Sequence, residues 1–187
     1  RYIPHPDYEG MSLEQIAQEL GCPAAEAALH LYEQGDAQVV NHSIQEADVE
    51  VIARHPLISV GSDGSSLSTE GVLSVGKPHP RSYGTNSRFL ARYVREGGLV
   101  SLAEAVRKMT TLPASRMGLT RRGRIAPGYA ADLVVFDPDS VADTATFEEP
   151  HSYARGIPHV AVNGVLVIED SQFTSQTPGK VIQGFGD

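Results

Sequence analysis

The sequence predicts an α/β fold followed by a separate antiparallel β unit, and three observations carry that prediction. Two apolar runs, Val39-Val40 and Leu57-Ile58-Ser59-Val60, flank a helical stretch at the spacing of a strand–helix–strand unit. Ser12-Leu-Glu-Gln15, Ser43-Ile-Gln-Glu46 and Ser101-Leu-Ala-Glu104 each have the form of a capping box ahead of an amphipathic run. Beyond Arg121 the helical period gives way to alternation, and Asn163-Gly164 between two apolar runs signals a two-residue hairpin.

Taken in order, residues 1 to 11 contain Pro4, Pro6 and Gly10, which exclude a long helix and leave an irregular entry. Leu13, Ile16, Ala17 and Leu20 then share one helical face between the Ser12 box and Gly21. Pro23, preset for a first helical turn, opens a second helix with Ala24, Ala27, Ala28 and Leu31 on one side and Gly35 at its end. Ala37 to Ile44 reads as a strand around Val39-Val40. A helix presenting Ala47, Val51 and Ile52 follows the Ser43 box and ends near Arg54, because Pro56 pushes His55 out of helical geometry.

Leu57 to Val60 suits a buried strand, and Gly61-Ser62-Asp63-Gly64 stops it with turn residues. From Ser62 to Pro80 the chain is rich in Gly and Ser, which predicts a long loop; loops of that length in compact domains bind, cover a site or are disordered. Asn86 to Glu96 reads as a helix with Phe89, Leu90, Tyr93 and Val94 inward and Gly97-Gly98 as its stop. The Ser101 box opens another, with Leu102, Ala105, Val106 and Met109 on one face, which Pro113 restarts or kinks. A boundary falls near Gly118 to Arg124. After it Ile125, Ala131 to Phe136 and Val160 to Ile168 read as strands, with Val181-Ile182 as one more.

Composition narrows the function. With 187 residues, 41% of them hydrophobic, the chain is long enough to bury a core as one domain or two small ones. A net charge of −8, with no basic block longer than Arg121-Arg122, argues against a nucleic-acid or anionic-membrane surface. Cys22 is the single cysteine, which excludes an intrachain disulfide and a thiolate zinc cluster and points to a reducing, cytoplasmic setting. No apolar run reaches the ~20 residues of a membrane helix. The chain begins at Arg1, which suggests a processed or truncated product.

Asp63 is the residue to watch. It lies just past the end of a predicted buried strand, where ligands bind in α/β proteins because helices cover the sheet faces. Read locally, Ser-Asp-Gly is a turn in which Asp63 bonds its own backbone. His79, between Pro78 and Pro80, either lines a site or stiffens the loop. His42 follows the first predicted strand and reads as structural. The other histidines, His5, His30, His55, His151 and His159, lack ligand spacing, with no H-x-H or H-E-x-x-H in the chain.

The run from Ser101 through Arg-Gly-Arg124-Ile-Ala-Pro-Gly-Tyr-Ala-Ala-Asp-Leu-Val-Val-Phe-Asp-Pro138 resembles the C-terminal signature of the amidohydrolase superfamily. Gly-Ser-Asp63-Gly, His79-Pro-Arg81-Ser-Tyr-Gly, Thr-Phe-Glu-Glu-Pro150-His and Val-Asn-Gly164 narrow the resemblance to its N-acyl-D-amino-acid deacylases, the D-aminoacylases. The resemblance implies the C-terminal portion of a TIM-like (β/α)8 metal-dependent hydrolase barrel over residues 1–118, with 1–44 as a candidate inserted segment. Strands of a small β-sandwich would then occupy 119–187. It implies zinc as the metal of the complete enzyme, with Asp63 as catalytic proton shuttle and metal contact. Arg81 is implied to anchor the substrate carboxylate, with His79 beside it in the substrate loop.

The family's H-x-H pair and further histidine ligands have no counterpart here, and a full barrel takes about 250 residues. The expectation is therefore a fragment, inactive alone, of an enzyme acting on small N-acyl-D-amino acids. Its partner would be the missing N-terminal half or another copy of itself. The alternatives are a non-catalytic assembly module of the same fold and a dihydroorotase- or hydantoinase-like cyclic amide hydrolase.

Overall fold

The computed structural model describes residues 4–35, 39–41 and 43–182. Helix α1 (Leu13–Leu20) has the complete capping box that the sequence encodes. Ser12 Oγ accepts the Gln15 N–H at 3.2 Å, Gln15 Oε1 accepts the Ser12 N–H at 2.7 Å, and Gly21 ends the helix at φ 65°. Helix α2 (Ala24–Gln34) returns against it. Ile16 and Leu31 are buried together, with Tyr8, Met11 and Leu20 around them, as a small core of their own.

Helix α3 (Glu46–Arg54) starts later than the Ser43 box predicts, with Gln45 as an N-cap that makes no side-chain bond. The reason is tertiary. The Glu46 carboxylate accepts Tyr93 Oη at 2.7 Å and pairs with Arg92 at 3.2 Å, so it does not reach back to its own helix start. The strand expected over 37–44 is absent from its described residues: Val39 and Val40 lie outside regular structure and are exposed, while 37, 38 and 42 fall outside the described set.

Leu57–Val60 is not a ladder strand either, so the predicted strand–helix–strand unit does not form. Its polar groups turn to the helix Leu102–Met109 instead. The Val60 N–H donates to Lys108 O at 3.1 Å, and Lys108 Nζ donates to Ile58 O at 3.0 Å and to His55 O. A buried strand needs neighbours to pair with, and no described residue offers it one.

Residues 62–80 form the expected long connection, broken by a 3-10 turn at Gly71–Ser74. Helix α4 (Arg81–Arg88) begins five residues before the expected Asn86 and continues directly into a π-helical segment, Phe89–Glu96. There the Gly97 N–H donates to Arg92 O at 2.9 Å, the i to i−5 bond of a widened turn. Phe89 and Leu90 join Ala53, Ala105 and Val141 in the main core, with Val60, Tyr93, Val94, Leu99 and Met109 packed on it, so the inward face matches the sequence pattern.

In α5 (Leu102–Met109) Ser101 Oγ accepts the Glu104 N–H at 3.2 Å, but the Glu104 carboxylate binds Arg107 at 2.7 and 2.8 Å, leaving half a capping box. Pro113 has no N–H to offer Met109 O, so the helix breaks at Thr110 and resumes as α6 (Thr111–Arg116).

The strands are β1 (Leu133–Val135), β2 (His159–Val162), β3 (Val165–Glu169) and β4 (Gln172–Phe173), antiparallel in the order β1-β2-β3-β4. Asn163 and Gly164 adopt φ 49° and 79°, the left-handed pair that a tight hairpin between right-twisted strands requires. Asp170 and Ser171, at φ 48° and 65°, make a second such turn that the sequence reading passed over. Ile125 and Val181-Ile182 are not strands. Among the described residues no helix is long and apolar enough to cross a membrane.

Candidate functional site

The segment that carries Asp63 is fixed from two sides. Lys108, only 1% exposed, holds its start through the carbonyls of His55 and Ile58. Its end lies against the first turn of α4. Asp63 takes φ 47°, a left-handed conformation that Asp tolerates better than most residues. At Gly64 an added Cβ would lie 2.8 Å from Ser82 Cα, so the close approach to α4 requires glycine. The Ser65 N–H donates to Ser82 Oγ at 3.4 Å across the same contact.

That approach brings together residues 18 positions apart. Arg81 Nη2 pairs with Asp63 Oδ2 at 2.7 Å, and Arg81 Nε donates to Asp63 O at 3.0 Å. A cation in the first turn of a helix opposes the helix dipole, and the Asp63 carboxylate offsets it. Arg81 Nη1 and Asp63 Oδ1 form no hydrogen bond with the described residues. The Asp63 side chain is 84% exposed and that of Arg81 44%, so the pair adds at most about 1 kcal/mol of stability. Its significance is chemical.

His79 joins the pair through the backbone. Its Nδ1 accepts the Arg81 N–H at 3.0 Å, which places the ring proton on Nε2. Burial, and then the Arg81 charge, hold its pKa below the ordinary histidine value, so the ring is neutral in this arrangement. Phe147 stacks on it edge to face at 4.9 Å between centroids. His79 therefore stiffens the loop as well as lying beside Arg81.

Other candidates fall elsewhere. Cys22 sits between α1 and α2, and His42 lies outside the described residues. Among the described residues no three His, Cys, Asp or Glu side chains converge to hold a metal ion. Asp63 can offer a metal one carboxylate, which does not make a zinc site. Concave surfaces occur away from the pair, one lined by Thr111, Arg122 and Tyr129 and another by Glu50, Arg92 and Tyr93. Sequence reading missed Lys108, Ser82, Phe147, Tyr83 and His151. Lys108 had no signal, whereas Ser82 and Tyr83 stand in the quoted motif after Arg81, and Phe147 and His151 in the one around Pro150.

Known proteins bear on this geometry. Residues 66–168 match the amidohydrolase family. The chain is 42% identical over 180 residues to an N-acyl-D-glutamate deacylase of Alcaligenes xylosoxydans xylosoxydans, covering 96% of this chain and 35% of that protein. It superposes on the crystal structure of a D-aminoacylase with a TM-score of 0.81 at 43% identity, over 93% of this chain and 35% of the other. A second solved structure is an N-acyl-D-glutamate deacylase from Bordetella bronchiseptica, complexed with zinc and a phosphonate that mimics the tetrahedral intermediate. It matches with a TM-score of 0.76 at 42% identity, over 88% of this chain and 32% of the other. The chain thus spans about a third of the length of the relatives it matches. With a family match across more than half its residues, this chain belongs to the amidohydrolase family.

Proposed function

We propose that this chain is the C-terminal portion of a zinc-dependent N-acyl-D-amino-acid deacylase, an enzyme that hydrolyses the amide of a small N-acyl-D-amino acid to a carboxylate and a free D-amino acid. Residues 1–118 are then the last part of its barrel and 119–187 strands of a small β-sandwich. The observation that carries this reading is the Asp63–Arg81 pair, which sets a proton-accepting carboxylate beside a carboxylate-gripping guanidinium. The described residues do not build a zinc site, so the metal belongs to the complete enzyme, and the steps below concern this chain's own groups.

Asp63 Oδ1, unengaged by any described residue, takes the proton of the attacking water and returns it to the leaving nitrogen. General acid–base transfer of this kind contributes roughly 10²- to 10⁴-fold. Arg81 binds the substrate's α-carboxylate. Because the guanidinium already commits Nε and Nη2 to Asp63, a substrate carboxylate either takes Nη1 or displaces Asp63. Substrate arrival and release of the Asp63 carboxylate are then linked. His79 keeps the Arg81 backbone in place from the substrate loop.

In the complete enzyme, Asp63→Asn is expected to lower kcat by roughly 10²- to 10⁴-fold with zinc still bound. Arg81→Lys, a point charge in place of a fork, should mainly raise KM for N-acyl-D-amino acids. Steady-state kinetics with elemental analysis of the same samples test both; unchanged turnover in the two variants overturns the assignment.

A further inference from the structure

Two of the quoted motifs contain a residue that the ion pair leaves unused: Tyr83, two positions after Arg81, and His151, after Pro150. The fold joins them. Tyr83 Oη donates to Ser68 O at 2.7 Å and lies 2.8 Å from His151 Nδ1, while His151 Nε2 lies 2.9 Å from Gly76 O. The two rings stand edge to face, 5.7 Å apart. Ser68 and Gly76 flank the Gly71–Ser74 turn, and the Ser68 N–H donates to Leu73 O at 3.4 Å within it. One tyrosine–histidine pair thus holds both ends of this loop, and Gly76 leads directly into His79 and Arg81.

Counting protons gives the pair a defined state. A carbonyl oxygen only accepts, so the bond to Ser68 O uses the single phenol proton, and the bond to Gly76 O needs a proton on Nε2. Tyr83 Oη can then only accept from Nδ1, which must also be protonated. Three bonds need three protons, whereas a phenol and a neutral imidazole bring two. The complete set forms only with an imidazolium, and a neutral ring gives up one of the three.

We infer that Tyr83 and His151 are positioning residues that clamp residues 68–76 beside the Asp63–Arg81 pair, and that the clamp closes fully when His151 carries both ring protons. The consequence for substrate rests on the deacylase reading: an open clamp loosens the approach to Arg81 and raises KM. The titratable groups on the elements meeting at His151 are Tyr83, Tyr153, Glu70, Lys77, Glu148, Glu149, His79, Arg81 and Arg88. Lys77 and Glu148 interact with each other. Burial, and then Tyr153, push the Tyr83 phenol up, so it stays a donor. His79 is held down by burial and Arg81.

The test is glutamyl-endopeptidase cleavage after Glu70 in the complete protein, referred at each pH to a free peptide of residues 66–75. Ring-nitrogen NMR of His151 accompanies it. Neither readout requires turnover, so the clamp and the deacylase assignment fail separately. Cleavage is expected to be about tenfold slower at a pH where the NMR spectrum shows both His151 ring nitrogens protonated than at a higher one where it shows a single ring proton, the size of one charge-assisted hydrogen bond. Tyr83→Phe and His151→Gln should cleave at the faster rate at both values. The NMR spectrum should show two slowly exchanging ring N–H protons at the lower pH. A wild-type loop no better protected at the lower pH than in Tyr83→Phe, or a doubly protonated ring whose N–H protons exchange as fast as those of a free peptide, overturns the inference.

Discussion

Asp63 reaches Arg81 because position 64 has no side chain. With Ser82 Cα 2.8 Å from where a Cβ would sit, Gly64→Ala forces the segment away from α4 and pulls the carboxylate off the guanidinium. The expected cost is about 1–3 kcal/mol, as for other overpacked contacts. In the complete enzyme kcat should fall more than Asp63's own burial would suggest, and denaturant melts with kinetics on one sample decide it. His79 adds a pH dependence of stability. Its folded pKa is depressed by burial and Arg81, so the unfolded chain takes up the proton first. The bond to the Arg81 N–H is complete above the ordinary histidine range, and its contribution is lost as pH falls through that range toward the depressed value. An NMR titration should place the His79 midpoint below that of a histidine in a free peptide. At this scale the resemblance of the Gly-Ser-Asp63-Gly and His79-Pro-Arg81 motifs singles out Asp63, Arg81 and His79, whose chain segments the structure brings together. Tyr83 and His151 lie 68 positions apart, and no local pattern announces such a contact.

Helix α5 does for the Asp63 segment what a neighbouring strand does in a sheet. Lys108 Nζ and Lys108 O between them satisfy two carbonyls and one N–H of residues 55–60, with Glu104 Oε1 3.9 Å away as counter-charge. Lys108→Met keeps the length of the side chain and loses its donors, so the His55 and Ile58 carbonyls are left without a partner. We expect a loss of about 1–3 kcal/mol by chemical denaturation. Lys108→Arg, bulkier but still a donor, should recover part of it. The apolar run Leu57–Val60 reads as a buried strand, yet Leu57 and Ile58 are exposed and its backbone bonds to a helix, because strand pairing and cover depend on distant residues that a local pattern does not contain. Capping boxes were legible to the extent that their acidic or amide member stayed local. Gln15 did, whereas Glu46 went to Tyr93 and Arg92 and Glu104 to Arg107. The Asn163-Gly164 hairpin was read correctly because two left-handed residues in succession admit few side chains.

Over the whole chain the apolar surface is distributed unlike that of a self-sufficient domain. Val39, Val51, Leu57, Val72 and Ile125 are each more than half exposed, and the helical faces of α3 and the segment after it present Ile52 and Ile58 as well. Scattered apolar residues are normal on a surface, but runs such as 51–52 and 57–58, flanking a segment that lacks strand partners, mark a face built to be covered. The chain spans about a third of the length of the relatives it matches. By itself it should lower its free energy by putting these faces together. We therefore expect the isolated chain to self-associate, or to bind the remainder of the protein when the two are mixed. Size-exclusion chromatography with light scattering at several concentrations, with a dye that reports apolar surface, reads this directly. A concentration-independent monomer of 20.0 kDa with no dye binding would show that the faces around α3 and Leu57 are satisfied within the chain, and would remove the physical case for a missing covering half.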